Sequence, residues 1–99
     1  HIQRKRSPFI LLRTLPKFHL KELIIFGSRA DGTASDVSDV DLAVKGYGSP
    51  MVRADFEEAV KNLPVLLMFD IVDYDSILVS DVLRKEIDEK GILLYQNTF

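Results

Sequence analysis

Apolar residues along this chain fall into short dense runs separated by longer, looser arrays, and the two kinds of spacing predict different elements. Leu23 to Phe26 is a compact apolar run closed by Gly27, which predicts a buried strand. From Asp39 to Lys45, Val40, Leu42 and Val44 recur at every second position, so one face of a second strand is apolar. Val65 to Tyr74 is apolar and rich in strand formers, and Ile92 to Tyr95 forms a short closing strand. Between these runs the period changes. From Met51 to Leu63 the apolar residues are Val52, Phe56, Ala59, Val60 and Leu63, a helical spacing. Ser49 supplies its N-cap, Pro50 suits its first turn, and Pro64 follows it. Ile77 to Glu89 predicts another helix, with Val79, Val82, Leu83, Glu86 and Ile87 on one side and Gly91 as its stop. Ser7 to His19 is mixed, with Pro8 suited to a helix start and Pro16 a breaker.

The predicted order is helix, strand, strand, helix, strand, helix, strand, with no internal repeat and no low-complexity segment. That order implies a mixed α/β (α+β) domain: a mixed central sheet of about four strands flanked by helices. Residues 1–20 are set apart as an N-terminal segment, and residues 21–99 form the domain proper. The Val65–Tyr74 run, apolar on both sides, is expected at the centre of the sheet beside the strand that starts at Asp39.

Composition narrows the classes. Ninety-nine residues with 46% hydrophobic and 28% charged content support one modest core. A net charge of −2 disfavours direct nucleic-acid binding, which favours a basic surface. The absence of cysteine excludes disulfides, thiolate metal sites and a cysteine nucleophile, and it fits a cytoplasmic protein. The longest apolar stretches fall well short of a membrane span. Arg13 interrupts the apolar residues that follow Arg4-Lys5-Arg6, so no signal peptide is expected. His1 and His19 are too isolated to form a metal or acid–base site.

The candidate chemistry lies where the first strand ends and the second begins. Glycine at Gly27 lets the backbone approach a ligand closely, and Ser28 can add a hydroxyl hydrogen bond at the start of a short helix. Such a turn suits a phosphate, although Gly-Ser at a strand end is more often only a turn. Beyond Ser28, after ten intervening residues, Asp39 and Asp41 stand two apart, which in a strand directs both carboxylates to one face. Like charges that close repel unless a cation lies between them, and Mg²⁺ is held by one or two carboxylates plus phosphate oxygens. An isolated Asp-Val-Asp is most simply a solvated strand edge. Asp70 shifts the balance, because it interrupts an apolar strand where an unpaired charge is costly. Together Asp39, Asp41 and Asp70 would surround one or two metal ions, the arrangement used in metal-assisted phosphoryl or nucleotidyl transfer. Asp73 and Asp75 are expected on the opposite strand face or past its end, at the surface.

Gly27-Ser28-Arg29-Ala30, Gly32 and Ser38-Asp39-Val40-Asp41-Leu42 together resemble the core motif of the DNA polymerase β-like nucleotidyltransferase superfamily. The match is nearest to the minimal nucleotidyltransferases, the MNT antitoxin-like proteins found beside HEPN-domain partners. Asp70 stands where that family's third carboxylate is expected, and Glu89 to Tyr95 resembles its usual ending. The resemblance runs from Lys21 to Tyr95.

The resemblance implies Mg²⁺-dependent transfer of a nucleoside monophosphate, AMP from ATP or the equivalent from another NTP, to a hydroxyl, with release of pyrophosphate. Asp39 and Asp41 would ligate two Mg²⁺ ions, and Asp70 would complete the acceptor-side metal site and help deprotonate the hydroxyl. Gly27 and Ser28 would hold the β- and γ-phosphates, with Arg29 a further phosphate contact or a solvent-exposed residue. The acceptor would be a tyrosine of a HEPN partner toxin. A chain of this size leaves no room for the second domain that larger relatives add, so another chain, a HEPN protein or a second copy in a homodimer, is expected to complete the acceptor pocket. The alternative readings are a non-catalytic nucleotide- or partner-binding module of a two-component system, and a purely structural α/β domain. Tyr47, in the Gly-rich loop after the second strand, is a candidate for stacking on the base.

Overall fold

The computed structural model describes residues 18–27, 39–64 and 68–97. Strand β1 (Glu22–Phe26) runs antiparallel to β2 (Val40–Lys45), with Phe26 opposite Asp41 and Glu22 opposite Lys45. Helix α1 (Pro50–Lys61) then crosses over to β3 (Phe69–Asp73), which lies parallel to β2. Helix α2 (Asp81–Lys90) returns the chain to β4 (Ile92–Gln96), antiparallel to β1. The sheet order is β3-β2-β1-β4, a mixed four-stranded sheet.

Alternation along the strands divides the core between the two helices. Leu23, Ile25, Val40, Leu42 and Val44 point to the α1 side and pack with Phe56 and Val60. Ile24, Phe26 and Ala43 point the other way and pack with Ile87 of α2. The rings of Phe18 and Phe56 pack edge to face, with centroids 5.5 Å apart, which places residues just before β1 over the α1 layer. The Ser49 hydroxyl accepts a hydrogen bond from the Val52 N–H at 3.2 Å and fixes the start of α1, as the Ser-Pro pair predicts. Helix α2 ends where the backbone turns extended at Gly91, a position only glycine fills because a Cβ there would run into the Ile87 carbonyl and the Ile24 side chain. No helix among the described residues is long and apolar enough to cross a membrane.

Three expectations are corrected. First, α2 begins at Asp81 and not at Ile77, because the Ser80 hydroxyl caps it by accepting from the Leu83 N–H at 3.1 Å. The residues before it form a separate turn, closed by Val79 N–H to Ser76 carbonyl at 3.2 Å and by Arg84 donating to the Tyr74 carbonyl at 3.1 Å. Ile77 and Leu78 therefore stand 94% and 90% exposed, and Val82 is exposed too. Second, the described part of the third strand spans only Phe69–Asp73; residues 65–67 of the expected Val65–Tyr74 strand lie outside the described residues. Third, β3 is an edge strand and not a central one. Since β1 already occupies one side of β2, the crossover through α1 delivers β3 to the other side, where it ends the sheet. The helix expected near Pro8 lies outside the described residues, as does the one expected after Gly27.

Candidate active site

The carboxylates gather at the end of the sheet where β1 finishes and β2 and β3 begin. Asp41 is the second residue of β2; its period-two position turns it to the α2 side, away from the core filled by Val40 and Leu42. The parallel register sets Asp70 directly beside Asp41, so the two carboxylates leave the same face of adjacent strands. Asp39 lies one residue before β2, exposed, and two residues from Asp41.

Gly27 closes the other side. The antiparallel register carries β1 past Asp41 at Phe26, and the next residue turns sharply with φ 73°. A Cβ at Gly27 would overlap the Asp41 carboxylate oxygen, so only glycine allows the turn and the carboxylate to lie this close. Ser28 and Arg29, the other candidates in this turn, lie outside the described residues.

Electrostatics matches the geometry. Asp41 is half-buried, and its carboxyl is pushed above the ordinary carboxylate value first by burial and then by the charges of Asp70, Asp39 and Glu86. Glu86 was not marked as a functional residue in the sequence, although its spacing from Leu83 and Ile87 already places it on the inward side of its helix. It is exposed, and it adds a fourth negative charge acting on Asp41.

Asp70 departs from expectation. It is exposed, because β3 lies at the sheet edge, and no buried polar or charged residue occurs among the described residues. The cost of embedding a charge therefore does not apply to it. Nor does it serve a structural ion pair, for its side chain has no hydrogen bond or salt bridge among the described residues. Asp73 lies on the opposite strand face, as expected, but it is half-buried and bonded: Arg53 reaches it at 3.5 Å, and its carboxylate accepts the Asp75 N–H at 3.1 Å. Asp75 in turn accepts the Gly46 N–H at 2.8 Å. Tyr47 is corrected as well. It is 7% exposed, packs 6.1 Å from Phe56 in the α1 core, and its phenol is raised by burial, so it is not a base-stacking surface.

Among the described residues, no three His, Cys, Asp or Glu side chains stand close enough to hold one metal ion together. The fold brings Asp41 and Asp70 side by side and leaves Asp39 at the mouth of the strand. The donor set nevertheless fits a hard divalent cation: the groups are all carboxylate oxygens, their mutual repulsion weakens the charged state of Asp41, and a cation would relieve it.

The comparisons bear on this arrangement. No curated protein sequence is significantly similar to the chain. Among solved structures, a toxin–antitoxin crystallised with AMP-PNP is similar over 95% of this chain and 73% of its own, with 26% identity and a TM-score of 0.62. A MntA–HpeT toxin–antitoxin carrying two Asp-to-Glu changes shares the fold, with 22% identity, 96% and 73% coverage and a TM-score of 0.58. The family model described as polymerase beta, nucleotidyltransferase matches residues 12–99. With that match across most of the chain, and an aspartate pair at the β2–β3 junction against a tight glycine turn, this protein belongs to the polymerase β-type nucleotidyltransferase family.

Proposed function

We propose that this protein transfers AMP from ATP to a hydroxyl of a partner toxin, and so acts as the antitoxin of a toxin–antitoxin pair. The observation that carries the reading is the in-register pair Asp41–Asp70 against the Gly27 turn, a dense negative charge at a strand end with no cationic partner among the described residues. A triphosphate with Mg²⁺ supplies what is missing. The similarity to a toxin–antitoxin crystallised with AMP-PNP supports both the partner class and the nucleotide. The resemblance in the motif favours a HEPN-domain toxin, with a tyrosine as acceptor.

Asp39 and Asp41, with Asp70 on the acceptor side, would hold Mg²⁺, two ions in the full complex, and the metal would supply charge neutralisation for the phosphate oxygens. Gly27 leaves the backbone open for the β- and γ-phosphates, with Ser28 and Arg29 as further contacts. In the transfer, the acceptor oxygen forms a bond to the α-phosphorus as the bond to the bridging oxygen of the β-phosphate breaks. Pyrophosphate leaves with that electron pair, and Asp70 receives the hydroxyl proton. Asp70 is suited to this because it is exposed and free of any structural bond among the described residues.

The test measures pyrophosphate release and AMP incorporation from Mg-ATP, with and without the toxin of the pair, for the parent chain, Asp41→Asn and Asp70→Ala. Incorporation into the toxin that disappears in both variants is the expected result. Nucleotide binding without pyrophosphate release in the presence of the toxin would replace the enzyme with a binding module.

A further inference from the structure

We propose that the apolar groove along the outer edge of β3 receives an extended segment of the acceptor protein, in which the acceptor tyrosine has an apolar residue on each side. The inference rests on the acceptor being a protein hydroxyl, as proposed above.

A groove of about 370 Å³ runs between the second half of α1 and β3. Val60 and Leu63 form one wall, Met68, Phe69 and Ile71 form the other, and Glu57 and Lys61 are its polar members. Among the described residues its surface is open: Met68 is 70% exposed, and Phe69 and Ile71 are only half-buried although they belong to a strand. Volumes of this order suit one or two inserted side chains better than a whole domain contact.

The strand that forms one wall also ends the sheet. Among the described residues β3 pairs with β2 alone, so its outer N–H and C=O groups face outward and offer a template for an added strand. The groove and the carboxylates are linked through this strand by alternation. Phe69 and Ile71 turn to the groove, whereas Asp70, between them, turns to the face that carries Asp41. A segment paired along β3 alternates in the same way. If its central residue lies on the Asp70 face, the residues before and after it lie over the groove, separated by roughly 7 Å, the same two-residue step that separates Phe69 from Ile71. A tyrosine at the centre thus brings its hydroxyl toward Asp70 while its two neighbours fill the apolar groove. Asp70 has no hydrogen bond or ion pair among the described residues to compete with that approach.

Binding of two fluorescein-labelled peptides to the 99-residue chain, followed by anisotropy in the presence of Mg²⁺ and a non-hydrolysable ATP analogue, tests this. One peptide is Lys-Thr-Val-Tyr-Val-Thr-Lys, and in the other serine replaces both valines. The expected result is a Kd at least tenfold lower for the valine peptide, with that advantage lost in Met68→Glu, a change at an exposed position whose intact fold is checked by its melting temperature. Equal affinity for the two peptides, no binding of either, or an unchanged Kd in Met68→Glu would overturn the proposal. The readout is independent of turnover. The same peptides are then incubated with the chain and Mg-ATP: groove-dependent binding without AMP transfer supports the groove and counts against the enzyme, while transfer to both peptides alike supports the enzyme and removes the groove.

Discussion

Replacing Asp41 by Asn removes one charge from the crowded strand end and keeps the side-chain volume, so its effect isolates the electrostatics. Asp41 is half-buried, beside Asp70 on the neighbouring strand, and acted on by Asp39 and Glu86 as well. Adjacent strands lie roughly 4.8 Å apart. Two carboxylates near that separation repel by about 1 kcal/mol in water-like surroundings and by several times more where the effective dielectric falls. Because Asp70 is exposed, the lower end applies, and the metal-free variant is expected to be about 1 kcal/mol more stable than the parent at neutral pH. For a domain of this size that is a rise of roughly 4–8 °C in Tm. The pH dependence carries the sign. Burial and the neighbouring charges raise the folded-state value of Asp41 above its ordinary 3.8, so the native chain binds this proton more tightly than the unfolded chain does. The parent therefore loses stability as the pH rises through the range just above 3.8, and the variant does not. Paired melts in EDTA at pH 3 and pH 7.5 read the difference directly: the Asn variant should gain its advantage only at the higher pH, while AMP transfer is lost. A variant that melts below the parent at pH 7.5, or an offset identical at both pH values, would refute the electrostatic account of the site.

Gly27→Ala should destabilise the chain by more than 1 kcal/mol, since it demands φ 73° of an alanine and drives its Cβ into the Asp41 carboxylate; denaturant melts and nucleotide titration check both effects. Asp70→Ala should be no less stable than the parent in denaturant melts and should gain up to about 1 kcal/mol at neutral pH, because among the described residues this exposed carboxylate strands no partner and its removal relieves the repulsion on Asp41, while AMP transfer falls by orders of magnitude. Phe56→Ala should behave in the opposite way, costing about 3–5 kcal/mol through the cavity left under α1, as chemical denaturation would show. Mg²⁺ and ATP together should raise Tm more than either alone, by an amount equivalent to roughly 2.7 kcal/mol at 100 times the dissociation constant; a flat melting scan at millimolar Mg-ATP would count against nucleotide binding.

Periodicity in the sequence was enough to place β1, β2, β4 and α1, because in each the apolar residues follow one period and a specific residue ends the run: Gly27 after β1, Ser49-Pro50 before α1, Gly91 before β4. The same period-two rule turns Asp41 to the α2 side, whereas Asp39, expected on the same face, lies one residue before the strand, and the motif around them marks Asp70 as their companion. It did not tell how deep Asp70 lies. An apolar strand reads alike whether it has neighbours on both sides or on one, and only the sheet order shows that β3 is an edge and that Asp70 is exposed. The start of α2 was hidden for a similar reason: Ile77 and Leu78 look like core residues until the Ser80 cap and the Arg84 hydrogen bonds fix the turn that holds them in solvent. Tyr47 shows the converse, a loop residue drawn into the core by Phe56. Local spacing determines which side chains share a face, because that depends only on backbone geometry within one element. Which faces meet depends on strand order and register, and these set Asp70 beside Asp41, Gly27 against the Asp41 carboxylate, and the Glu86 charge within reach of Asp41.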